Sequence, residues 1–362
     1  LNFVILFDID CIFAKKSKTL KIQKRIDLLV QLGQYIKDGG DAELDTVIRK
    51  STADNPWFTE ENVQFALQSI CSSMLQESDL SAWIAQYTLP ESDFPKKSIG
   101  LVMAGNLPLV GFHDWLCVFV AGMRAQVKLS EKDQHLLPFL VKKMAEWDFE
   151  AWAYTEFLKP DERLHGFDAV IATGSNNTAR YFEQYFGKYP HIIRHNRNGI
   201  AILDGQETAE DLHALGIDIF AYFGLGCRNV SKLYVPENYN FEPLLEALHA
   251  YNALALHNKY INNFDYNFTL YVLNNMPYMN NGCLLLREDP SLQSRISSVH
   301  YEYYTDLNSL NAHLVSLKDQ IQCIVGKVVL PDHVVLPFGK SQAPSLTDYP
   351  DGADVMAFLC GL

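Results

Sequence analysis

The chain lacks an excess of positive charge: its 362 residues carry 30 Lys plus Arg against 43 Asp plus Glu, a formal net charge of −13. That excludes a general affinity for the phosphates of nucleic acid or for anionic lipid headgroups, while leaving room for a local cationic pocket. The cysteines lack a pattern. All seven, at 11, 71, 117, 227, 283, 323 and 360, stand apart without CxxC or Cys/His metal spacing, so the reading is a reducing cytoplasm with no structural zinc or other metal. Long apolar runs are missing too. Leu1–Ala14 is apolar but broken by Asp8 and Asp10, too short to span a bilayer, and followed rather than preceded by its lysine cluster, the wrong order for a secretory leader. Because the chain starts with Leu, this piece is expected to be a cloning or start-site extension outside the fold. No internal repeat and no low-complexity segment is present.

What is there is an ordinary globular composition, 48% hydrophobic and 20% charged, over a length that suits two domains. The stretch that stands out is Gly224-Leu225-Gly226-Cys227-Arg228-Asn229-Val230-Ser231-Lys232, set between the aromatic run Phe220, Tyr222, Phe223 and the apolar run Leu233–Val235. A cysteine directly after a Gly-x-Gly turn, with a cation beside it, is placed to expose a partly stabilised thiolate, which is what a nucleophile needs. The competing reading of Cys227 is a small buried hydrophobe. A second stretch is Met103-Ala104-Gly105-Asn106-Leu107-Pro108-Leu109, where an amide follows a strand and precedes a proline-limited turn. Asn106 is there either to offer its N–H to a developing oxyanion or as a turn residue.

Taken in order, helical spacing marks Gln23–Lys37, a capped helix follows Thr59, and another covers Asp79–Tyr87. From Pro95 on, strands and helices alternate. Strands are expected at 98–103, 125–128, 168–173, 200–203, 233–235, 269–273, 283–287 and 297–304, and helices at 115–121, 136–147, 207–220, 241–260 and 307–317; the chain finishes with 321–329, a loop at 336–339 and a short amphipathic end at 354–359. Thr173-Gly174-Ser175 closes a buried strand and opens a helix rich in capping side chains, a start that suits an anion or a polar cofactor ring although it is not GxGxxG. This alternation implies a parallel, helix-covered sheet, the α/β class.

These pieces, in this order, resemble the aldehyde dehydrogenase superfamily, and most closely its acyl-CoA reductase branch, the family of the fatty acid reductase of bacterial luminescence. The resemblance runs from about Pro95 to the C-terminus. The asparagine-proline loop is matched at 103–109, an Ala-Gly-x-x-x-x-Lys-x-x-Glu pattern by Ala121-Gly122 through Lys128 and Glu131, and the cofactor turn by Thr173-Gly174-Ser175. The nucleophile motif is matched by Gly224-Leu225-Gly226-Cys227, with Lys232 where Arg usually stands, and the terminal Pro-Phe-Gly by Pro337-Phe338-Gly339. The resemblance implies a Rossmann-like cofactor domain over residues 1–202, to which 336–362 return, and an α/β catalytic domain over 203–335. It makes Cys227 the acyl-accepting thiolate and Asn106, with the Cys227 backbone N–H, the oxyanion hole. Lys128 and Glu131 would meet the adenosine ribose, and Gly174 with Ser175 the pyrophosphate and nicotinamide side.

The family's pattern is not kept everywhere. Its general-base glutamate should fall where this chain has Arg194-His195-Asn196-Arg197, its second glutamate near Gln293–Ser297, and its final subunit-bridging strand after Pro-Phe-Gly; none is present. The expectation is a cytoplasmic NAD(P)H-dependent enzyme that reduces an acyl-CoA, of fatty type, to an aldehyde through a Cys227 acyl-enzyme, with Phe220, Tyr222 and Phe223 along the acyl channel. The alternative is a cysteine acyltransferase or thioesterase without redox chemistry. NADPH is favoured over NADH because Lys128 and Arg124 stand close to Glu131 in sequence. If a base exists, His195 or Glu207 supplies it. Partners are expected to be the acyl-CoA, a second copy of the chain or an acyl-transferring protein, and neither nucleic acid nor a membrane.

Overall fold

The computed structural model of the protein describes residues 20–89, 97–174 and 176–362. The extension 1–14, the transition at Pro95 and the cofactor-turn residue Ser175 lie outside them. Four helices come first: α1 (Ile22–Lys37), α2 (Ala42–Asp54), α3 (Glu60–Met74) and α4 (Glu77–Ile84). Helix α1 buries Ile26, Leu28, Leu29, Leu32 and Ile36 along one stripe. Helix α2 escaped the sequence reading because its only buried residues are Leu44, Ile48 and Ser51. Its signal is the cap: the Asp41 carboxylate accepts from the N–H groups of Glu43 and Leu44.

The first sheet is all parallel, with β1 (Ser98–Val102), β2 (Arg124–Lys128), β3 (Thr155–Phe157), β4 (Ala169–Thr173) and β5 (His191–Arg194) in the order β3-β2-β1-β4-β5. Its central strands read as unbroken apolar runs because both faces are covered: Ile99, Ala125, Val127, Ala169 and Val170 have no exposed surface. The connections are α5 (Phe112–Val120), buried at every position, α6 (Leu136–Trp147) and α7 (Asn176–Phe186). The chain runs outward from β1 through β2 to β3, then jumps back across to β4. The gap between the loops after β1 and β4 is thus a topological switch point, where open α/β sheets hold ligands.

The second sheet collects β6 (Asn198–Ile202), β7 (Val230–Pro236), β8 (Met279–Asn280), β9 (Leu285–Glu288), β10 (Ser298–Tyr304), β11 (Ile321–Gly326) and β12 (Val335–Leu336), ordered β12-β11-β6-β7-β10-β9-β8. Only the β8 edge is antiparallel. Helices α8 (Ala209–Phe220), α9 (Glu242–His249), α10 (Asn258–Leu273) and α11 (Leu307–Ser316) complete this half, and α12 (Val355–Cys360) ends the chain. Sheet membership changes between Arg194 and Asn198, so β6, read from sequence as the end of the first unit, belongs to the second sheet. In the last segment, Leu346, Tyr349, Val355, Met356 and Leu359 join the apolar cluster of the first sheet and the N-terminal helices.

Two expectations fail. The helix read over Phe241–Tyr260 is broken into α9, a 3-10 turn at Asn252–Leu256, and the start of α10, which His257 caps by accepting from the Tyr260 N–H. The strand read over Thr269–Leu273 is the last turn of α10. Its buried residues Tyr260, Phe264, Asn267 and Tyr271 are spaced four, three and four apart, so helical burial overrides the β-propensity of the local residues. Among the described residues no helix is long and apolar enough to cross a membrane.

Candidate active site

The loops after β1, β2 and β4 open into one cleft of about 1000 Å³, closed on its far side by the loop after α8 and by the C-terminal strap. Cys227, Asn106, Lys128 and Gly174 all line it, together with Leu107, Lys132, Thr173, Thr178, Arg228, Gln293 and Asp351. Residues 119 positions apart meet there: the Asn106 side-chain amide donates to the Leu225 carbonyl at 2.9 Å. Gly226 makes the approach possible, because a Cβ on it would stand 2.9 Å from Asn229 Oδ1 and 3.0 Å from Leu107 Cδ1. Asn106 is exposed to the cleft, and the loop that carries it is pinned by Asp133, whose Oδ2 accepts from the Leu109 N–H at 2.7 Å. Leu109 lies in the left-handed region at φ 56°. Burial pushes the Asp133 carboxyl up to about 6.

The cysteine loop is shaped by a residue that sequence reasoning missed. Buried Asn229 accepts from the Gly226 N–H at 2.8 Å and donates to the carbonyls of Asp218, Ile219 and Ala221 at the end of α8. These bonds hold a turn in which Tyr222, Phe223 and Gly224 all have positive φ, at 52°, 61° and 76°. Asp218 in turn accepts from the N–H groups of Gly339 and Ser341, at 2.6 and 2.9 Å, and so anchors the Pro-Phe-Gly segment to the same helix end. The only sequence hint was an amide two places after the cysteine. Of the aromatic run, Tyr222 lines the cleft, whereas Phe220 belongs to the second sheet's core and Phe223 stacks on His257 at 4.3 Å. Of the expected aromatic channel one ring is left at the cleft, which Ala66, Ile70 and Met74 of α3 also line.

Cys227 is half-buried, and burial pushes its thiol up from the ordinary value. Arg228 pulls it down, Asp351 pushes it up, and its own backbone N–H and Arg194 pull it down. The resting group is therefore a thiol. Arg228 is itself oriented by donating to the Asp348 carbonyl at 2.9 Å. Lys232, at the motif's arginine position, is fully buried in β7 beside Glu302 at 2.7 Å, away from the cleft's lining.

Where the resemblance led a general base to be sought, Arg194 is buried and bidentate to Asp114, with Nη2 2.5 Å from Oδ1 and Nε 3.3 Å from Oδ2. His195 lines the cleft with its ring half exposed, 3.8 Å from a Glu183 carboxylate oxygen. Glu207 does not reach the cleft. It closes the turn before α8 by accepting from the Asp204 N–H at 2.6 Å, and the helix starts after it because Thr208 and Asp211 form a reciprocal cap. Gln293 lines the cleft as an amide where the second glutamate was sought.

The coenzyme residues separate. Gly174 has no room for a Cβ, which would sit 3.0 Å from both Thr178 and Phe182, so backbone is laid bare at the switch point. That backbone lies at the cleft's edge, next to Thr173 and Thr178 in its lining. Lys128 donates to the carbonyls of Lys159, Pro160 and Glu162 at 2.9, 2.5 and 2.8 Å. Glu131 is exposed and outside the cleft's lining, between Ser130 and Lys132, which are in it. Arg124 cannot offset Glu131, as it sits at the opposite end of β2 and pairs with Glu156 at 3.3 Å. The nearby cation in the cleft's lining is Lys132, which the sequence reading passed over.

No protein-family model matches this sequence, and no curated protein matches it. Solved structures do. Aldehyde dehydrogenase 21 from Physcomitrella patens, in complex with succinate, aligns at a TM-score of 0.64 with 12% identity, over 94% of this chain and 84% of that one. An oxidoreductase from Marinobacter aquaeolei aligns at 0.65 with 10% identity, over 91% and 80%. Betaine aldehyde dehydrogenase from Staphylococcus aureus aligns at 0.60 with 13% identity, over 86% and 72%. The chain has the fold of the aldehyde dehydrogenases.

Proposed function

We propose that the protein is a nicotinamide-dependent oxidoreductase that reduces an acyl thioester, of fatty acyl-CoA type, to an aldehyde through a Cys227 acyl-enzyme. The observation that carries this reading is the meeting of the Cys227 and Asn106 loops, joined by the Asn106–Leu225 hydrogen bond, in one cleft with Gly174. In that arrangement the Cys227 thiol attacks the thioester carbonyl. The second N–H of the Asn106 amide and the Cys227 backbone N–H receive the oxyanion, and the CoA thiol departs. The reduced coenzyme, when bound, supplies hydride for the acyl carbon. Gly174 exposes backbone for it, and Lys132 offers the charge that would favour NADPH over NADH. Tyr222, Ile70 and Met74 give the acyl chain an apolar wall. None of residues 194–197 is itself a carboxylate, and the carboxylate beside them in the cleft, Asp351, accepts from the His195 N–H and lies 3.6 Å from Arg197.

The second reading, hydrolysis or acyl transfer without redox chemistry, is favoured by one observation, the presence of His195 at the cleft. Purified protein mixed with acyl-CoAs of several lengths, with loss of reduced nicotinamide absorbance followed, separates the two. Coenzyme oxidation with aldehyde formed supports reduction. Fatty acid released without coenzyme, and abolished by His195→Ala, replaces it.

A further inference from the structure

The described residues lining the cleft include three carboxylates and no glutamate. Asp114 is locked by both ends to Arg194. Asp348 is turned to its own loop, where its Oδ2 accepts from the Ser345 N–H and hydroxyl at 2.8 and 2.7 Å. Asp351 is held more loosely. Its Oδ2 accepts from the His195 N–H at 3.1 Å, and its Oδ1 lies 3.6 Å from Arg197 Nε. Its backbone is left-handed at φ 58°, its N–H donates to Gln322 Oε1 at 3.1 Å, and the residue lines the cleft. The side chain is only 14% exposed.

Burial raises the Asp351 carboxyl above its ordinary value, against the pull of Arg194, Arg197, the His195 N–H and the His195 ring. Its charge also reaches Cys227, where it opposes ionisation while Arg228 and Arg194 favour it. A thiol that rests protonated needs an acceptor when it attacks, and a departing thiolate needs a donor.

We infer that Asp351, from the C-terminal strap, is the proton carrier of the acyl-transfer step, an inference that rests on the acyl-enzyme reading above. As the Cys227 Sγ–acyl bond forms, Asp351 takes the thiol proton. As the acyl–sulfur bond of the substrate breaks, it returns that proton to the leaving sulfur. Nothing is oxidised or reduced, and the carboxylate ends as it began.

The test is Asp351→Asn, which keeps an acceptor for the His195 N–H and tolerates the left-handed backbone. Two rates are measured without coenzyme in wild type and variant: Cys227 alkylation by iodoacetamide across pH, and acylation by acyl-CoA from free CoA thiol and intact mass. The two are expected to move in opposite directions. The variant alkylates faster near neutral pH, because the opposing charge is gone, yet acylates about 100-fold or more slowly. Acylation at the wild-type rate or faster overturns the inference, as does an unchanged alkylation profile, which means that the carboxylate does not face the thiol. Equal slowing of both rates also overturns it, leaving Asp351 a structural residue. If wild type itself forms no adduct with any acyl-CoA, the acyl-enzyme reading falls and takes the inference with it.

Discussion

Asn229 Oδ1 accepts from the Gly226 backbone N–H at 2.8 Å, so the turn that presents Cys227 hangs on a buried amide. Removing that amide in Asn229→Ala strips the partner from Gly226 and leaves carbonyls of Asp218, Ile219 and Ala221 short of a donor, a loss of about 2–4 kcal/mol. The expected result is a lower midpoint in chemical unfolding, and a Cys227 that no longer stands out in alkylation because the positive-φ turn relaxes. Unchanged stability would mean that strain in the turn is held elsewhere.

The thiol's ionisation is pushed up. Alkylation of Cys227 is therefore expected to keep accelerating above about pH 10, where an ordinary thiol of pKa about 8.5 has levelled off. Peptide mapping should still find Cys227 modified ahead of Cys71, Cys117, Cys283 and Cys323, which are buried. Cys227→Ala removes the adduct and all turnover while leaving the unfolding curve nearly unchanged.

Asn106→Ala deletes an oxyanion donor and the tie to Leu225. Turnover is expected to drop on the order of 10²- to 10³-fold, with substrate binding much less affected, as read from kcat and KM. An unchanged kcat would reduce Asn106 to a turn residue.

Asp133 gives a pH signature. Its carboxyl is raised in the folded protein to about 6, so between the unfolded value and that point the folded state holds more protons. Stability is expected to fall as pH rises from about 4 to 6 and to level off above, by about 1–3 kcal/mol in all. In Asp133→Asn, which keeps an acceptor for Leu109, that component should be absent, so that it stands alone in the difference between the two unfolding profiles.

The coenzyme preference is expected to follow Lys132 rather than Glu131. Lys132→Ala should shift the ratio of kcat/KM values away from NADPH toward NADH, while Glu131→Gln, outside the cleft's lining, leaves it nearly unchanged. The reverse pattern would return Glu131 to the coenzyme.

Strands β1, β2 and β4 of the first sheet were legible because they are buried on both faces and therefore spelled as apolar runs, as in Ile99–Leu101 and Val170–Ala172, whereas the edge strands β3 and β5, only partly buried, spell no such run and were missed. The second half read less well. In α10 the buried stripe Tyr260, Phe264, Asn267, Tyr271 is aromatic and polar, and its β-forming end disguised a helix. At the site, Cys227, Asn106 and Gly174 were visible as residue types in glycine-rich turns. Asn229, Asp133 and Asp351 were not, because their importance lies in hydrogen bonds to backbone that is distant in sequence or bent, and no spacing encodes that. Lys128 shows the converse: a cation at a motif position, spent on three carbonyls of its own chain.

The backbone passes from the first sheet to the second at 195–197 and comes back with the strap that leads into Leu346 and Tyr349. The two passages lie against each other, bonded through Arg194 to the Pro350 carbonyl and through the His195 N–H to Asp351. Between the units, the other links are non-covalent, such as His257 Nε2 with the Pro56 carbonyl and Phe223 with Trp57. The two crossings thus make a double seam, and Arg228, next to Cys227, is bonded to it at the Asp348 carbonyl, so the loop that carries the reactive sulfur is stitched to the same place where the two halves are joined.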